Sequence, residues 1–139
     1  MDKLTELYEL AYDKDYAIFN YDLSALQTKG MIINVDGKYG IYLDHQNIEN
    51  SAEETVVAAH EIGHAETGSL YTFNTDKYTI GKCEYRANKW AVKYLIPFED
   101  YFKALNQGLV EKWQLAEHFN VTEDFIVKTH RIYQMEGLI

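Results

Sequence analysis

The run His60-Glu61-Ile62-Gly63-His64 is an H-E-x-x-H motif. On a helix, residues four apart differ by about 40° and sit one turn apart on the same face. Both imidazoles can therefore reach one ion. Zinc accepts neutral imidazole nitrogens, and catalytic zinc sites combine three protein ligands with one position left for water or substrate. Glu61 neighbours His60 and can reach a water held by the ion rather than the ion itself, and so take its proton. The chemistry implied is metal-assisted hydrolysis, with His60 and His64 as ligands and Glu61 as base. Gly63 has no side chain, so another backbone can approach there, at a cost of up to ~1 kcal/mol inside a helix. The competing reading is a chance match on a surface helix. Against it stand the Ser51/Glu54 capping-box pattern ahead of the motif, the apolar Val56, Val57 and Ala59, and a suitable ligand downstream.

That third ligand must come from another element. Glu66 is close in sequence but lies about 200° around the helix from His64. The metzincin continuation needs Gly and His where Thr67 and Leu70 stand, so that class is excluded. Glu84 is the candidate, in Glu84-Tyr85-Arg86-Ala87-Asn88 on the next helix. Asn88 lies one turn beyond it and could hydrogen-bond a ligand histidine. Two histidines and a carboxylate suit Zn2+, and also Mn2+ or Fe2+. Tyr71, Tyr78 and Tyr85 could each donate to an oxyanion, and with 12 tyrosines the sequence does not choose. His118 and His130 read as surface or packed residues. Cys83 reads as a small packed hydrophobe, because adjacent helical residues point about 100° apart. Asp44 and His45 read as turn or surface residues.

The elements that must carry these residues follow from periodicity and turn chemistry. Leu4, Leu7, Tyr8 and Ala11 predict an amphipathic helix from residue 2 to about 16. Asp36-Gly37 between two β-rich runs predicts a type I′ hairpin, with strands near 30–35 and 38–43. The motif helix should start near 52 with Ser51 as its cap and stop at Gly68. A loop at 69–81 precedes a helix at roughly 82–96, ended by Pro97. A short helix near 98–106 stops at Gly108. The tail reads as two helices split at Phe119-Asn120-Val121, with Thr122 capping the second. The expected fold is α+β, mostly helical, with a small antiparallel sheet and an active-site helix. No linker or repeat divides the chain, so residues 1–139 are expected to form one domain that includes the tail hairpin, about 109–135. Trp113, Leu115, Phe119, Phe125 and Ile126 are expected in its core.

The tail also has a rival reading as a DNA-binding helix-turn-helix. Its recognition helix would open with Glu123 and Asp124, whose charges oppose phosphate, as does the net charge of −9. The single cysteine allows no intramolecular disulfide, and no segment resembles a signal peptide or a membrane span. The expected location is cytosolic, with no direct nucleic-acid or membrane partner.

Three segments carry a family likeness: Ala59-His60-Glu61-Ile62-Gly63-His64, Glu84-x-x-Ala87-Asn88-x-Trp90-Ala91 and Leu95-Ile96-Pro97. With Gly40-Ile41-Tyr42-Leu43 and Leu115-Ala116-Glu117-His118-Phe119-Asn120-Val121, the chain from about residue 30 resembles the ImmA/IrrE metallo-endopeptidases. Trp90 stands where that family often has Phe. The resemblance implies a zincin-like fold and zinc held by His60, His64 and Glu84, with Glu61 as base. It further implies a protein substrate: a helix-turn-helix transcriptional repressor of a phage or mobile element, met by a small stand-alone enzyme. The alternative is a zinc-containing antirepressor that binds the repressor without cleaving it. A purely structural metal site would have no need of a base at Glu61.

Overall fold

The computed structural model describes residues 2–139. Helix α1 (Lys3–Asp13) is capped by Asp2, whose Oδ1 accepts the Thr5 N–H, and it buries Leu7 and Ala11. Strands β2 (Gly30–Val35) and β3 (Lys38–Leu43) form the expected hairpin, in register from Gly30 opposite Leu43 to Val35 opposite Lys38. Asp36 and Gly37 have φ of 53° and 82°, and a type I′ turn needs positive φ at both central positions. A third strand was not anticipated. Strand β1 (Ala17–Asn20) pairs in parallel with the other side of β3, so the sheet is mixed, in the order β1-β3-β2, rather than antiparallel throughout. This leaves β2 at an edge.

Helix α2 (Ser51–Thr67) carries the motif, and Gly68 ends it at φ 62°. Its cap is Asn50 rather than Ser51: the Asn50 side chain accepts the Glu53 N–H, while the hydroxyl of Tyr8 occupies Glu54. Helix α3 (Lys77–Leu95) begins earlier than expected. Asp76 accepts the Thr79 N–H and starts the helix inside the stretch read as loop. Helix α4 (Phe98–Asn106) follows Pro97. Helices α5 (Lys112–Phe119) and α6 (Glu123–Met135) are separated at Asn120, with φ 53°, and Thr122 caps α6 through the Phe125 N–H.

Side chains from α1 to α6 and from β3 join one buried cluster, in which Leu7, Ile41, Ile62, Val92, Phe125 and Tyr133 are almost fully enclosed. The tail joins this core through Leu115, Phe125 and Ile126. Two expectations about its side chains need correction. Trp113 is 58% exposed, and Phe119 is only half-buried. With eight residues, α5 has room for one narrow buried stripe, which Leu115 and Ala116 occupy. Asp44 also departs from the surface reading, at 1% exposed. Its carboxylate accepts the backbone N–H groups of Leu23 and Asn47 and the Asn47 amide. Those bonds satisfy a charge that burial would otherwise penalise. His45 is half-buried against the Tyr8 hydroxyl.

Candidate metal centre

Helices α2 and α3 pack against each other where neither has bulk. A Cβ on Gly63 would lie 2.7 Å from the Ala87 carbonyl oxygen, so the open face of the motif admits the α3 backbone. That approach was anticipated for Gly63, and it sets Glu84 and Asn88 beside the two histidines. Glu84 Oε2 lies 2.9 Å from His60 Nε2, and Glu84 Oε1 lies 3.2 Å from His64 Nε2. The two Nε2 atoms are 3.2 Å apart.

The far side of each ring fixes its tautomer. His64 Nδ1 donates to the Ser69 carbonyl at 2.8 Å, and His60 Nδ1 donates to Asn88 Oδ1 at 2.8 Å. Neutral rings held this way turn their Nε2 lone pairs toward each other and toward the Glu84 carboxylate. Lone pairs so close repel unless a positive charge stands among them. Bonds of 2.0–2.1 Å at the tetrahedral angle place zinc ligands about 3.3 Å apart, which matches the spacing here. His60, His64 and Glu84 therefore fit a divalent ion, and their donor atoms lie within 4.8 Å of one another.

The electrostatics agree with a site built for positive charge. Burial opposes ionisation of Glu84, but when protons rather than an ion occupy the Nε2 positions, hydrogen bonds from His60 and His64, with one from Tyr71, outweigh it and hold this carboxyl well below the usual range. Burial disfavours charge on His64 too, yet its bonds to Glu84 and Ser69 raise its proton affinity above the ordinary value. Protons and metal ions thus compete for the same lone pairs.

Glu61 sits beside this cluster and is 7% exposed. Burial raises its pKa, against a smaller opposing pull from the histidines. It lines a cleft of about 890 Å³, together with the three donors, strand β2, the loop after α2, and Phe125 and Lys128 of α6. Tyr71, on that loop, donates to Glu84 Oε1 at 2.5 Å and sets its ring edge-on to His64.

The remaining candidates lie elsewhere. Tyr78 is exposed under Lys82, and Tyr85 packs on the core. His130 bonds to Tyr101, and His118 packs on Phe119. Glu66 faces away and binds Lys14 and Tyr16. Cys83 is buried. The Ser69 carbonyl escaped the sequence reading, because a main-chain acceptor has no residue-type signal. Among the described residues, no helix is long and apolar enough to cross a membrane.

Residues 14–131 match the IrrE N-terminal-like domain, a family of peptidases. No curated protein and no solved structure matches the chain.

Proposed function

The chain belongs to the ImmA/IrrE peptidase family through its IrrE N-terminal-like domain, and from that premise we propose that it is a zinc-dependent endopeptidase, with His60, His64 and Glu84 holding the ion and Glu61 as general base. The family assigns the chain a metallopeptidase-type domain, which acts on protein. The observation that carries the finer reading is the convergence of three donor atoms, at the spacing of zinc ligands, beside a buried carboxylate that opens into a cleft.

When bound, the ion supplies Lewis acidity, which polarises a peptide carbonyl and acidifies water. The protein supplies the rest. Asn88 and the Ser69 carbonyl hold the imidazoles in the ligating tautomer. Glu61, with its raised proton affinity, takes a proton from water in the cleft and passes it to the leaving amine. Tyr71 is the tyrosine best placed to donate to a developing oxyanion, since its hydroxyl already reaches the ligand carboxylate from an exposed loop. Among the described residues, strand β2 pairs only with β3, and apart from the Gly30 carbonyl, which accepts the Thr28 hydroxyl, its outer edge is open to an extended substrate segment along the cleft.

The proposed substrate is a helix-turn-helix repressor of a phage or mobile element, supported by the ImmA/IrrE sequence likeness. Metal analysis of the purified protein should find about one zinc per chain, and manganese or iron in its place would correct the choice of ion. Glu61→Gln should keep that metal and lose cleavage of a candidate repressor, whereas full proteolysis by this variant would refute the role of Glu61. A repressor bound tightly by the wild-type protein but left intact would favour the antirepressor reading.

A further inference from the structure

The Glu61 carboxylate has a conspicuous lack of anchors. Among the described residues, no side-chain hydrogen bond or ion pair holds it; only the charges of His60, His64 and Glu84 act on it where it lines the cleft. Something else must aim it. One constraint on it from outside α2 is the first residue of β2. A Cβ placed on Gly30 would lie 3.0 Å from Glu61 Cγ, 3.0 Å from Glu61 Oε2 and 2.6 Å from Val57 Cγ1. All three distances are tighter than ordinary van der Waals contact.

We infer that Gly30 is a positioning residue for Glu61: by carrying no side chain, it leaves the space the carboxylate occupies, and its backbone forms the wall against which the carboxylate rests. The inference builds on the reading of Glu61 as the base. Gly30 has a negative φ, so conformational freedom does not explain a glycine here. Nor can the strand retreat easily. Gly30 is in register with Leu43 on β3, the Lys29 carbonyl accepts the Asp44 N–H at 2.9 Å, and Lys29 Nζ is paired with Glu53 at 2.9 Å. On the helix side, Val57 is β-branched and stiff at χ1. The side chain with the most freedom to yield is Glu61, and yielding turns it away from its present direction.

The test uses the zinc-loaded full chain and acetohydroxamate as a probe. A hydroxamate chelates a divalent ion through two oxygens and gives its proton to an adjacent carboxylate. Its affinity therefore reports the position of Glu61 without any need for a substrate. Wild-type protein, Glu61→Gln and Gly30→Ala are compared by calorimetric titration, with zinc affinity measured separately. Glu61→Gln should weaken acetohydroxamate at least about tenfold, the loss of one hydrogen bond to a charged acceptor. Gly30→Ala should weaken it to a similar extent while keeping zinc affinity within about twofold, since no ligand of the ion is touched. The double variant Gly30→Ala/Val57→Ala removes the tightest overlap and protects the test against a failure to fold. It should melt above Gly30→Ala but still bind acetohydroxamate weakly. Recovery of hydroxamate binding in the double variant would reduce Gly30 to a packing residue against Val57 and overturn the inference. So would wild-type affinity in Gly30→Ala alongside a weakened Glu61→Gln. If Glu61→Gln itself binds like wild type, the base assignment fails first, and the positioning role falls with it.

Discussion

Gly63→Ala sets two physical effects against each other. Helix propensity alone says that the change stabilises α2, by up to ~1 kcal/mol. The tertiary contact says the opposite. The new methyl would sit 2.7 Å from the Ala87 carbonyl oxygen and 3.3 Å from Ala87 Cα, against 3.4 Å at the near edge of ordinary contact. The obstacle is backbone, so no rotamer change relieves it, and α2 and α3 must part by about 0.7 Å. Overpacking of this kind costs about 1–3 kcal/mol. Allowing for the propensity gain, the expected net loss is about 0–2 kcal/mol, or up to roughly 8 °C in the midpoint of thermal unfolding. The larger consequence falls on the metal. Glu84 and Asn88 flank Ala87 on α3 and would move with it, whereas ligand distances tolerate only about 0.2 Å. Zinc affinity, measured by competition with a chelator, should fall at least about tenfold. Unfolding is followed on the metal-free protein, so that the two readouts stay separate. A variant that melts higher than wild type and binds zinc equally well would refute the claim that this contact spaces the site.

Asn88→Ala removes the acceptor that orients His60, so zinc affinity should drop by roughly 10–100-fold with little change in the metal-free fold; an unchanged affinity by chelator competition would remove Asn88 from the site. The side-chain amide of Asn47 and the Leu23 and Asn47 N–H groups hold the Asp44 carboxyl below its ordinary 3.8. Its ionised form therefore favours the folded state, a contribution present above about pH 4 and lost as pH falls through the lower folded value. Asp44→Asn should flatten the acid limb of a stability profile measured by urea denaturation, and an unaltered limb would show that other carboxylates govern it. Trp113→Ser, at a position 58% exposed, should change stability by no more than about 0.5 kcal/mol; a loss of several kcal/mol in urea would restore Trp113 to the core.

The features legible in the sequence were those whose cause is local. The one-turn spacing of His60 and His64, the Asp36-Gly37 turn, the Gly68 stop and the Thr122 cap each depend on residues within a few positions of one another. Their geometry follows from backbone sterics and nearby hydrogen bonds. Glu84 and Asn88 stand between the local and the distant. Residue type and helical spacing nominated them, and the contact of Gly63 with Ala87 brought them to the histidines.

Tertiary structure alone decided the rest. Strand β1 has four residues, and its partner β3 lies beyond β2 in the chain, so no local pattern announced the parallel pairing that leaves β2 at the edge beside the cleft. The selection of Tyr71 from 12 tyrosines, the Ser69 carbonyl behind His64, the burial of Asp44 and the exposure of Trp113 depend on what the folded chain brings near. Gly30 is the sharpest instance. A glycine that matters because another element fills its missing side chain looks, in one dimension, like any other glycine. Short-range rules fix dihedral angles, whereas distances between remote residues arise only when elements pack.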